Sequence, residues 1–261
     1  MLKIDPLKMS LAAAVTLAWL SIPVTLAQSQ RANDNLQSSQ FDASIPANAD
    51  NLTVSGIQPD ALQSYRRAVD ELHQGHAILA QQDANRALQQ DEKFADAAAL
   101  AATAALMQQQ FQRAAAEAAE AIHINPADEK AYVILATAQN YLGDYSAAAD
   151  ALGHVRPQDQ QTWQVAYQWA RAEAGLQHLR ECLQWLNRAA LSAPVSFAPL
   201  HLLRASALLA MGDNARAADE LDIYLQFPSV NPSQRELLTQ ELHRLRQLPP
   251  SSADVAAATG N

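Results

Sequence analysis

The chain has 261 residues, 18 basic against 27 acidic side chains, a formal charge of −9 and a single Cys, which excludes an internal disulfide and gives no electrostatic footprint for nucleic acid. With 49% hydrophobic residues but only 6% aromatics and 7 Gly, and without alternating Val/Ile/Thr runs, it reads as an all-helical protein packed through small side chains.

Residues 1–27 read as a secretory signal: Lys3 and Lys8 form a positive flank, 9–20 an apolar stretch, and Thr25-Leu26-Ala27 a small-residue cleavage site. Export to the periplasm or beyond is therefore expected, with a mature chain beginning at Gln28. The apolar stretch is shorter than the ~20 residues that cross a bilayer. A retained anchor in the inner membrane, facing the periplasm, is the alternative, and only then is a membrane a partner. No Cys lies in this segment to carry a lipid. Removing Lys3, Lys8 and Asp5 leaves 16 basic against 26 acidic residues, so the mature chain is more acidic still. Residues 28–58, rich in Gln, Asn, Ser and Asp, read as a disordered linker.

Beyond the linker one unit recurs. Small residues fall into three combs: Ala68, Ala102, Ala136 and Ala170; Ala80, Ala114, Ala148 and Cys182; Ala87, Ala121, Val155 and Ala189. Each steps by 34 residues, the spacing of a helix-turn-helix solenoid, and after one inserted residue the combs resume at Ala205, Ala217 and Tyr224. Repeats are expected at 61–94, 95–128, 129–162, 163–196 and 198–231, followed by a capping helix at 232–248 and a flexible tail at 249–261.

In the first repeat Pro59-Asp60 opens a helix carrying Leu62, Tyr65, Val69 and Leu72 on one side, and Gly75 ends it. Phe111 opens the second helix of the next repeat and Pro126 closes that unit. In the third, Tyr132, Leu135 and Ala136 face inward before the turn at Gly143, and Tyr145, Ala148 and Leu152 after it. Pro157 comes early, so that helix is expected to stop near Gly153. The fourth places Trp169 and Ala170 inside, with Cys182, Leu186 and Ala189 on its second helix. Ala205, Gly212, Ala217 and Leu221 restore the phase in the fifth. The cap, QRELLTQELHRLRQL, has the charged outer side that a terminal unit needs, with Leu242 expected at its edge.

The central copy, through Tyr132, Leu135, Ala136, Gly143, Tyr145 and Ala148, resembles the tetratricopeptide repeat (TPR) family. Departures lie at Ser64, Ala98, Ala166 and His201, where that family prefers a bulky residue, at Gln109 and Gln177 in place of the turn Gly, and at Glu92 in place of the closing Pro. The resemblance implies an α-solenoid coiled as a right-handed superhelix whose concave groove is lined by the first helix of each repeat. In this sequence those positions are Tyr65, Val69, Leu72 and His73 in the first repeat and Thr103, Leu106 and Met107 in the second. They continue as Val133, Thr137, Asn140 and Tyr141, then Tyr167 and Arg171, and finally Leu202 and Ser206. Tyr65 and Val69 stand where some family members place the first groups of a carboxylate clamp, so the expected partner is an extended or helical protein segment.

No nucleophile elbow, phosphate loop or dinucleotide fingerprint occurs. Cys182 stands in the small-residue register, and His73, His76 and Glu71 straddle the turn at Gly75 as solvated residues. Asp128-Glu129 and Asp219-Glu220 fall at helix starts or on outer faces. Trp169 is expected in the core and Trp185 at a helix contact, leaving Trp163 and Tyr167 as an exposed aromatic patch. The expectation is a non-enzymatic scaffold that uses no metal or small-molecule cofactor and binds a protein or peptide in its groove. The alternative is a subunit of an envelope assembly or secretion complex that makes its contacts through repeat edges and the cap.

Overall fold

The computed structural model describes residues 56–248; the expected signal, all of the linker but its last three residues, and the tail lie outside them. Among the described residues are eleven α-helices, one 3-10 turn at Asp159–Gln161 and no strand. They divide into two compact units, 56–197 and 198–248.

The first unit holds four hairpins: α1 (Pro59–His73) with α2 (Ala77–Gln90), α3 (Ala95–Met107) with α4 (Phe111–Ile124), α5 (Glu129–Leu142) with α6 (Tyr145–Leu152), and α7 (Trp163–Gly175) with α8 (Leu179–Ala190). Each helix packs on the next in sequence, and successive first helices also meet: α1 with α3, α3 with α5, α5 with α7. The second helices do not pair to a comparable extent, so the first helices form the inner side of this unit. The second unit holds α9 (Pro199–Ala210), α10 (Asn214–Leu225) and the cap α11 (Pro232–Gln247), with α10 packed on α9 and α11 on α10.

Local chemistry sets the helix ends. Asp128, Asp144, Asp213 and Asn231 cap α5, α6, α10 and α11 by accepting from the backbone N–H of Lys130, Ala147, Arg216 and Ser233. Every first helix is followed by a residue in the left-handed region: Gly75, Gly143 and Gly212 at φ near 80°, and Gln109 and Gln177 at φ 60° and 64°.

The combs are the helix crossings. Ala68, Ala102, Ala136, Ala170 and Ala205 are fully buried; so are Ala80, Ala114, Ala148, Cys182 and Ala217, and Ala87, Ala121, Ala189 and Tyr224, with Val155 at 3%. A methyl group at each crossing lets the axes close up, and the larger side chains fill the grooves between. The third hairpin's second helix is the short one, ending at Leu152.

A second register runs inside the hairpins, between residues sixteen apart. Arg67 meets Asp83 at 3.4 Å in the first, Trp169 lies flat on Trp185 in the fourth with ring centroids 5.3 Å apart, and Arg204 meets Glu220 at 3.2 Å in the fifth. In the third the same positions hold Leu135 and Ala151, which share one apolar cluster. In the second they hold Ala101 and Glu117, and Glu117 turns instead to Arg113 and Gln81.

Candidate binding face

The face expected to bind is the inner side of residues 56–197, and most of its side chains contribute to packing there. Tyr65, Val69 and Leu72 are buried in one cluster with Phe94 and Leu100, and the Tyr65 and Phe94 rings are 4.9 Å apart. Burial, then the neighbouring carboxylates of Asp96 and Asp128, push the Tyr65 phenol well above its ordinary range. Thr103 and Thr137 are buried and turn their hydroxyls back onto the carbonyls of Ala99 and Val133; Leu106 is buried too. Asn140, 3% exposed, donates through Nδ2 to both the backbone carbonyl and the side-chain oxygen of Gln168 at 3.0 Å. His73 is exposed, whereas Met107, Val133 and Tyr141 are half-buried. In the second unit Leu202 is buried and Ser206 is half-buried, its hydroxyl on the Leu202 carbonyl.

One arrangement on this face joins three successive repeats. Tyr141 stacks on Phe111 with centroids 4.4 Å apart and planes 4° from parallel, and the Arg171 guanidinium lies 4.0 Å from its ring centroid. Phe111 comes from the start of α4, Tyr141 from the end of α5 and Arg171 from the middle of α7. Arg171 is itself buried, 8% exposed, and the ring face stabilises its charge where water is largely excluded.

The expected patch of Trp163 and Tyr167 is not open. Phe197, the residue inserted between repeats, packs against both, 4.7 Å from Trp163 and 4.9 Å edge-on to Tyr167. Tyr167 is 4% exposed. The insertion that breaks the 34-residue step is thus an aromatic cover. Leu242, expected at the cap's edge, is likewise buried, because α11 seats Gln234, Leu238, Leu242 and Leu245 inward.

Sequence reasoning missed a turn device. His76 and His178, three repeats apart, each set Nδ1 2.8 Å from a carboxylate oxygen five residues back, Glu71 and Glu173. The backbone N–H of each His also donates to the carbonyl of that Glu at 2.8 Å. The signal lay in the recurrence of Glu and His at one register; His76 is exposed, as a turn residue, yet it is paired.

No family model matches the chain. No curated relative matches it either. Solved structures do. MamA from Desulfovibrio magneticus RS-1 aligns at TM-score 0.56 and 14% identity over 74% of this chain and 100% of that one. YrrB, a TPR protein with an unusual peptide-binding site, aligns at 0.55 and 15% over 74% and 100%. PilW, a type IV pilus biogenesis factor, aligns at 0.62 and 14% over 72% and 87%. The fold is TPR-like.

On the second-helix side of these TPR-like hairpins an open cleft between α2 and α4 is floored by Leu88 and Ile124. Charges of both signs rim it, Glu92, Lys93, Arg113 and Glu120. Among the described residues no three His, Cys, Asp or Glu side chains are grouped to hold a metal ion. Cys182 is fully buried in the Ala register.

Proposed function

We propose that this protein is a non-catalytic TPR-like scaffold that holds a peptide or protein segment against the first-helix side of residues 56–197, after export to the cell envelope. The observation that carries the binding reading is the Phe111–Tyr141–Arg171 stack. It sets a stacked aromatic pair and a cation across three repeats whose first helices also carry the half-buried Met107 and Val133. Aromatic and Arg anchors flanked by apolar contacts are what binding hot spots are made of. The peptide-binding site of the similar YrrB supports the same reading. Export rests on Lys3, Lys8, the apolar 9–20 stretch and the small residues Thr25 and Ala27.

The test is affinity capture from envelope fractions with wild type, Tyr141→Ala and a cap control, Leu237→Asp. Loss of a captured protein with Tyr141→Ala alone, by about 1 to 2 kcal/mol in binding free energy, is the expected result, with thermal unfolding run to show that the variant stays folded. Retention by a folded Tyr141→Ala variant overturns the groove reading. N-terminal sequencing should find Gln28 first; Met1 on a membrane-bound product overturns cleavage.

A further inference from the structure

The cap helix α11 packs on α10 through Gln234, Leu238, Leu242 and Leu245. Arg235 fastens it by donating to the carbonyls of Leu225 and Phe227, and Arg246 pairs with Asp222 at 2.9 Å. Beside that packed face runs a stripe exposed at both ends and at Arg244, whose side chain is 45% exposed, and half-buried at Glu241. Leu237 is 58% exposed, Leu248 at the C-cap is 39% exposed, and between them Glu241 accepts from Arg244 at 2.6 and 2.8 Å. Residues 237, 241, 244 and 248 are spaced i, i+4, i+7 and i+11, so they lie along one line of the helix surface.

The order along that line, apolar, acidic, basic, apolar, is self-complementary. If a second α11 is laid antiparallel with its midpoint between residues 242 and 243, Leu237 meets Leu248 of the second copy at each end. Glu241 then meets Arg244 of the second copy twice in the middle. The two internal Glu241–Arg244 pairs lie side by side with opposite polarity and form a ring of four alternating charges. A two-fold contact requires this kind of patch, in which residue i faces j and j faces i. We infer that α11 is a homodimerisation element that binds a second copy of this chain, antiparallel, through Leu237, Glu241, Arg244 and Leu248. A single helix pair falls below the ~1,200 Å² of a standard interface, so the dimer is reversible and is read over a concentration series. The surface belongs wholly to residues 198–248, and the inference does not depend on the proposed groove.

The experiment is sedimentation equilibrium of the purified full chain with three variants. Wild type is expected to associate to a dimer. Glu241→Arg sets two basic residues per chain against two, and Arg244→Glu sets two acidic against two; each alone should weaken dimerisation by roughly tenfold or more. An equimolar mixture of these two variants restores opposite charges at all four positions and should form the heterodimer. The double variant Glu241→Arg/Arg244→Glu should self-associate again. None of these positions is in the buried face on α10, and thermal unfolding of each variant checks that α11 stays docked. A wild type that remains monomeric across the series overturns the proposal, whether the stripe is covered by residues 249–261 or by nothing. So does a dimer that persists in both single variants, or a mixture that fails to associate.

Discussion

The ring of Tyr145, at the start of α6, occupies the space into which a side chain at Gly175, at the end of α7, would grow. The same register one repeat earlier brings Phe111 onto Tyr141. A ring meets a ring in one case and a bare backbone in the other, so the two repeats close by different means. Ala in a helix is ordinarily better than Gly by up to about 1 kcal/mol. Here Gly175→Ala is expected to destabilise by about 1 to 3 kcal/mol through overpacking, and Tyr145→Ala in the same chain should recover part of that loss. Urea denaturation of the two single variants and the double variant measures the coupling.

The left-handed turns make an opposite prediction. Gln109 and Gln177 adopt φ 60° and 64° where Gly75, Gly143 and Gly212 do so without a Cβ. Replacing either Gln by Gly should stabilise by roughly 0.5 to 1 kcal/mol, and replacing Gly143 by Ala should cost about 1 kcal/mol. Melting temperatures that move the other way would show that the Gln side chains contribute more than their backbone strain costs.

The crossings are size-limited. Ala114 and Ala148 are fully buried at equivalent positions, so Leu at either should cost about 1 to 3 kcal/mol. Unchanged unfolding of both variants would remove the register on which the fold is built.

Glu220 supplies a pH dependence. Its burial alone would raise the carboxyl pKa, but hydrogen bonds from His201 and Arg204 and their charge outweigh burial and hold it below the ordinary range. A carboxyl lowered in the folded state adds stability that is fully present above its unfolded value near 4.5 and is lost as pH falls through the folded value. The stability difference between wild type and Glu220→Gln should therefore be greatest at neutral pH and shrink in acid below about pH 4.5. A difference that does not vary between pH 7 and 3 would assign the effect to packing alone.

The helical hairpins were legible in the sequence because a crossing tolerates one size of side chain, and the comb of Ala68, Ala102, Ala136 and Ala170 reports that limit directly. The accessible face was legible only in part, because whether a groove side chain is open depends on what the next segment lays over it. Tyr65 is packed against Phe94, and Tyr167 is covered by the inserted Phe197, a residue that the repeat itself does not predict. The cap shows the same limit in another form. Leu242 and Leu237 are both apolar and five residues apart, and only the seating of α11 on α10 decides that the first is buried and the second exposed.

In three of the hairpins the residues sixteen apart act as address labels. Five alanine-lined first helices offer nearly the same surface to five alanine-lined second helices, and the crossings alone do not tell one partner from another. A first helix that took the wrong second helix would set Arg204 against Ala151, or Leu135 against Asp83. It would leave a cation or a carboxylate half out of water with nothing to answer it. Because Arg67 has Asp83, Trp169 has Trp185 and Arg204 has Glu220, mispaired hairpins are penalised while they form, and a chain of look-alike parts is sorted into one order.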